Sequence, residues 1–151
     1  MAHKKSAVKK KQRRMRRHAL EAQLEHTEQT TTYANDALLT PQLERSLVMM
    51  INNLGSVTFD DVDHFFALHH FNPSGSRKMA IRGCKNVWIW SFWRQEVYDW
   101  LLDVCERHHL SIGVCDVERY CEPERVPVPI TDHLEDYDEW HWLPCEIRSR
   151  K

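Results

Sequence analysis

Nothing in the chain approaches the ~18 consecutive apolar residues of a membrane-spanning helix, so no membrane partner is expected. The N-terminus has no apolar core of the secretory type, and an intracellular setting follows as the expectation. Glycine and proline are scarce, at 4 and 6 residues, which excludes collagen-like and low-complexity classes. The five cysteines are Cys84, Cys105, Cys115, Cys121 and Cys145, an odd number with no close pair. That pattern fits neither a disulfide framework nor paired zinc ligands. The nearest metal-like combinations are His141-x3-Cys145 and Cys115-x5-Cys121. No metal and no cofactor are expected. A Gly-rich phosphate loop and a Gly-x-Ser-x-Gly elbow are both missing, and nothing specific supports Cys84 as a nucleophile. The chain therefore reads as a non-enzyme.

Acid is absent from residues 1–20, which carry nine Lys or Arg residues. The remaining 131 residues hold 12 basic and 22 acidic groups, a net of −10, although the whole chain is at −1. Arm and body are thus electrostatic opposites. Lys9, Lys10, Lys11, Arg13, Arg14, Arg16 and Arg17 form the run KKKQRRMRR, rich in helix formers but self-repelling. It is expected to be disordered alone and helical on phosphates, with strong salt dependence. A solvated tail, a clamp on the acidic body and a nuclear-import signal are its other readings. Residues 1–37 are taken as arm and linker.

The body begins with Thr40-Pro41, an N-cap and first-turn proline. Leu43, Leu47, Met50, Ile51 and Leu54 then form one apolar stripe, closed by Gly55. A second helix opens at Thr58, with Asp60, Asp61 and Asp63 at its positive end. After the turn Asn72–Gly75, Ser76 is expected to cap a third helix, Arg77 to Arg82, with Met79 and Ala80 facing inward. Val87–Trp90 reads as a buried strand, Ser91 as the cap of a longer helix, and Leu110–Cys115 as another strand that Val117–Cys121 extends or follows.

Three helices in that order, followed by strands, resemble the winged-helix branch of the helix-turn-helix class over residues 40–90, with Leu110–Cys121 as a wing or an extra strand pair. The resemblance implies an α+β, mostly helical fold: a winged-helix-like core at 38–121 plus a longer helix and short strands. An acidic, Pro- and Trp-rich extension at 122–151 packs on that body. It further implies that the third helix lies in the major groove of DNA.

Charge supplies a separate argument. Between Asp63 and Glu96 lie 32 residues without an acid, and Arg77, Lys78, Arg82, Lys85 and Arg94 fall among them. Ser76, Arg77, Lys78, Arg82 and Lys85 are the candidate nucleic-acid contacts of the body, through phosphate and guanine edges. Pairing of those arginines with the acids of 116–139 is the competing explanation. That segment carries nine acids against Arg119 and Arg125. It reads as a solvated flap, as a mimic of nucleic acid, or as a handle for a basic partner. Trp140 and Trp142 either fold back on the core or anchor a larger protein partner. Two functions are expected on these grounds: a small non-enzymatic protein binding nucleic acid, DNA first, or a protein-interaction module or inhibitor docking through its C-terminal part.

Overall fold

The computed structural model describes residues 39–150. Helix α1 (Pro41–Leu54) starts where the Thr40 side chain accepts a hydrogen bond from the Leu43 N–H at 3.1 Å. It ends at Gly55, whose φ of +82° is the left-handed conformation that glycine adopts without strain. Its stripe Leu43, Leu47, Met50 and Ile51 is buried. Three residues of strand β1 (Ser56–Thr58) follow, and Thr58 then caps α2 (Phe59–Leu68). There a reciprocal capping box forms: Thr58 Oγ1 accepts from the Asp61 N–H at 3.1 Å, and Asp61 Oδ2 accepts from the Thr58 N–H at 2.9 Å.

The next four elements are strand β2 (Ser74–Ala80), strand β3 (Val87–Trp93), helix α3 (Gln95–Arg107) and strand β4 (Leu110–Val114). Short 3-10 turns at Val117–Arg119 and Pro123–Arg125 lead to β5 (His141–Trp142) and β6 (Cys145–Ser149). One sheet has the order β1-β6-β4 and is antiparallel throughout. The other has the order β2-β3-β5, antiparallel between β2 and β3 and parallel between β3 and β5.

Aromatic burial holds the layers together. Trp88, Trp90, Trp93 and Trp142 are essentially inaccessible, as are Phe59, Phe65, Phe66, Tyr98 and Tyr120. A large apolar side chain buried to this degree contributes about 1.5–3 kcal/mol. Tyr120 joins the sheets: its ring lies perpendicular to Trp142 at 4.8 Å, and its O–H donates to the Cys145 carbonyl at 2.7 Å. Its oxygen also accepts from the Phe59 N–H at 3.4 Å, where α2 begins.

The expected mostly helical, winged-helix-like architecture is overturned. The described residues form three helices and six strands in two sheets, an α+β fold in which helix does not dominate. The decisive change is at Arg77–Arg82, expected as the third helix. Residues 74–80 instead pair with β3, with register shifts along the ladder. The cause is physical. An isolated six-residue helix is unstable without a broad apolar face, and SGSRKMA supplies little to bury. Pairing satisfies its backbone groups and covers an edge of the Trp-rich β3. Gly75 fits that arrangement: a Cβ there would lie 2.4 Å from Arg94 N. Met79 is half-buried, but Ala80 is exposed rather than facing inward.

Ser91 does not cap the following helix, because β3 continues to Trp93 and Arg94 takes the N-cap position. Val117–Arg119 is a 3-10 turn, with the Asp116 side chain accepting from the Glu118 N–H at 3.0 Å. Within 122–151, Cys145–Ser149 is the middle strand of the first sheet.

Candidate functional site

The acid-free segment forms a hairpin with an exposed basic edge. Ser76, Arg77 and Lys78 are exposed on β2, the outer strand of its sheet, and Arg82 and Lys85 are exposed in the turn before β3. They are neighbours on a strand and its turn, not residues of the one helix expected over Arg77–Arg82. Lys9, Lys10, Lys11, Arg13, Arg14, Arg16 and Arg17, the remaining cations proposed to meet nucleic acid, lie outside the described residues.

The hairpin is held from inside. Tyr98 on α3 is 2 % exposed; its O–H donates to the Arg77 carbonyl at 2.8 Å and its oxygen accepts from the Trp93 N–H at 3.3 Å. Burial pushes that phenol up to about 12, so it remains a donor across the physiological range. At the strand's start, the Asn72 side chain accepts from the Ser74 N–H at 3.0 Å and the Pro73 carbonyl accepts from the Arg94 N–H at 2.9 Å.

Ion pairing separates this surface from the rest of the fold. Arg94 pairs with Glu96, Arg107 with Glu44 and Asp103, and both Arg119 and Arg148 pair with Glu146. Arg125 lies 3.8 Å from Asp60 and 3.6 Å from Asp63. By contrast, no carboxylate of the described residues lies within 4.0 Å of the charged groups of Arg77, Lys78, Arg82 or Lys85. Arg45 on α1 and Arg150 after β6 are the other described arginines without such a partner. The acids of 116–139 therefore do not neutralise the hairpin by direct ion pairs.

Those acids do pack beside it. Asp136 Oδ1 accepts from the backbone N–H of Lys85 at 2.7 Å, and the Lys85 carbonyl accepts from the Tyr137 N–H at 3.1 Å. Asn86 Nδ2 donates to the Tyr137 and Asp138 carbonyls. Trp140 follows at the surface, 37 % exposed, with Lys78 Nζ 5.3 Å from its ring centroid. Trp142 is fully buried, stacks on Trp88 at 6.4 Å and donates from Nε1 to the Ile89 carbonyl. It is a core residue and presents no face to a partner. The contact between residues 78 and 140 had no local signature, because it joins the outer strand β2 to the residue just before β5, 62 positions away in sequence.

A cleft of about 600 Å³ lies on the other side of the acidic loop, lined by Cys115, Asp116, Thr131, His133, Tyr137 and His141 among others. Its groups are already engaged. Thr131 Oγ1 and Tyr137 Oη are 2.7 Å apart, and the His141 ring stacks on Tyr137 at 3.7 Å. Burial pushes the Cys115 thiol up to about 12, far from a reactive thiolate. Cys145 is held at about 12 and Cys105 at about 11 by the same cause. Among the described residues no three His, Cys, Asp or Glu side chains converge as metal ligands. No described helix is long and apolar enough to cross a membrane. No family model, no curated protein and no solved structure matches the chain.

Proposed function

We propose that the protein binds nucleic acid through the exposed edge of the β2–β3 hairpin, with the basic N-terminal arm adding phosphate contacts. The observation that carries this is the unpaired state of Arg77, Lys78, Arg82 and Lys85 on a body where five other arginines are paired. Cations already committed to carboxylates release few counterions on meeting phosphate; free ones release them fully. Strands of a β-sheet are also an established way to contact nucleic acid, and here the outer strand β2 and the turn after it are the exposed part of a three-stranded sheet. The function is occupancy rather than catalysis, in a reducing intracellular setting that five unbridged cysteines favour.

The test is a salt titration of DNA binding by the full chain and by a variant carrying Arg77→Gln, Lys78→Gln, Arg82→Gln and Lys85→Gln. The variant should lose affinity and its log–log salt slope should flatten by about 3–4, at ~0.9 per phosphate contact. Its melting temperature should fall by no more than a few degrees, since no ion pair is lost and only the exposed Lys78–Trp140 contact, about 0.5–1 kcal/mol, is removed. An identical slope would refute the assignment. A second reading, docking of a basic protein partner on the acidic C-terminal part, is favoured by exposed Ile130, Leu134 and Trp140 interleaved with Asp132, Glu135, Asp136, Asp138 and Glu139. On that reading the four-fold variant keeps its partner.

A further inference from the structure

Of the six tryptophans in the chain, Trp140 is the most exposed, at 37 %. Trp88, Trp90, Trp93 and Trp142 are at 1 % exposure or less, and Trp100 is half-buried, 5.9 Å from Phe66. The exposed indole is not placed at random. Lys78 reaches it across the sheet, and the backbone on both sides of it is tied to the hairpin. Before it, the Tyr137 and Asp138 carbonyls accept from Asn86 Nδ2 at 2.9 and 3.1 Å; after it, the His141 N–H donates to the Asn86 carbonyl at 2.8 Å. Asn86 itself sits at φ +60°, a turn conformation that the side-chain bonds help to fix. An exposed aromatic ring whose flanking backbone is hydrogen-bonded to a basic hairpin is the arrangement on which unpaired bases stack.

We propose that Trp140 is a base-stacking platform, so that the hairpin takes single-stranded in preference to duplex nucleic acid; this rests on the phosphate-binding function proposed above. A nucleotide carries base and phosphate on one sugar, so a base on the ring brings its phosphate to Lys78 and the neighbouring cations. In a duplex the bases are already stacked and cannot use the ring. The acids argue in the same direction. Asp136, Asp138 and Glu139 are exposed in the stretch leading to Trp140. They repel phosphate on that side, so a strand whose base lies on the ring must carry its phosphates toward the cations.

Fluorescence anisotropy with labelled oligo(dT) of about 15 nucleotides and with a duplex of equal length tests this on the full chain and its variants. Trp140→Ala should weaken oligo(dT) binding about 5- to 150-fold and change duplex binding by less than about twofold, whereas Trp140→Phe should keep most of the single-strand affinity. Should Trp140→Ala lower the melting temperature, Trp140→Leu replaces it, because leucine keeps apolar volume and removes the π-face; loss with leucine and retention with phenylalanine is then the expected pair. Unchanged oligo(dT) affinity, or equal losses on both probes, overturns stacking while leaving the phosphate-binding function in place. Failure of the unaltered chain to bind either probe overturns both.

Discussion

Replacing Gly75 by alanine asks whether residues 74–80 are a strand seated against the start of α3. A Cβ at position 75 would lie 2.4 Å from Arg94 N, 2.5 Å from Arg94 Cα and 2.7 Å from the Trp93 carbonyl carbon. All three are backbone atoms, so no flexible side chain can swing aside. The chain itself must retreat, and the nearby Arg94 N–H to Pro73 carbonyl bond at 2.9 Å would be strained with it. Overpacking of this kind costs about 1–3 kcal/mol. At about 4 °C per kcal/mol for a domain of this size, the melting temperature should fall by about 4–12 °C. Were Gly75 merely an open turn residue with ordinary φ, alanine would stabilise by about 0.4–1 kcal/mol through the unfolded chain. The two cases differ in sign, which makes circular-dichroism melting decisive. An unchanged or raised melting temperature would refute the strand's close approach. With it would go the argument that β2 is held firmly enough to present Arg77 and Lys78.

Tyr98→Phe should destabilise the protein by about 1–3 kcal/mol in urea unfolding, because it strips a buried acceptor from the Trp93 N–H and a donor from the Arg77 carbonyl; a loss below ~0.3 kcal/mol would show that those groups find other partners. His133 should titrate above the ordinary 6.5, raised by its hydrogen bond to Asp132 and then by that to Glu135. Its raised value means that the associated stabilisation is present below the unfolded value and is lost as pH rises through the folded one. Proton NMR of the ring should show the midpoint returning toward 6.5 in the Asp132→Asn, Glu135→Gln variant, and a midpoint at or below 6.5 in the parent would refute the pairing.

What could be read without coordinates was whatever is encoded within a few residues. Thr40-Pro41, the helix start at Thr58 with its acidic first turn, and Gly55 are local devices, and each sits where its chemistry predicts. Val87–Trp90 and Leu110–Val114 are apolar enough to declare themselves as strands. Other elements depend on distant partners. Ser74–Ala80 becomes a strand because Val87–Trp93 lies beside it, against local signals of a capped helix. Cys145–Ser149 was invisible for a different reason: CEIRS has two charges in five residues, yet it is the middle strand of a sheet. Glu146 can be 8 % exposed there because Arg119 and Arg148 both reach it. Trp140 and Trp142 look equivalent in sequence. Only the pairing of Trp142 with Trp88 across β3–β5 assigns one to the core and leaves the other at the surface.

A basic edge strand has a purely structural explanation that must be weighed against function. Outer strands present unpaired backbone groups, and lysine, arginine and bulges are common protection against pairing with another copy. The register shifts of β2 and the charges of Arg77 and Lys78 would satisfy that need. The same argument does not reach Arg82 and Lys85, which lie beyond β2 in the turn, where there is no strand edge to protect. Nor does it require the absence of acids from 32 consecutive residues on a body that is otherwise acidic, since glutamate is also used to guard an edge, although lysine is the commoner choice. Edge protection asks for charge of either sign; phosphate asks for one. The hairpin carries one sign throughout, on the strand and past its end, and that selectivity is the part of the pattern that edge protection leaves over and that the proposed phosphate binding would account for.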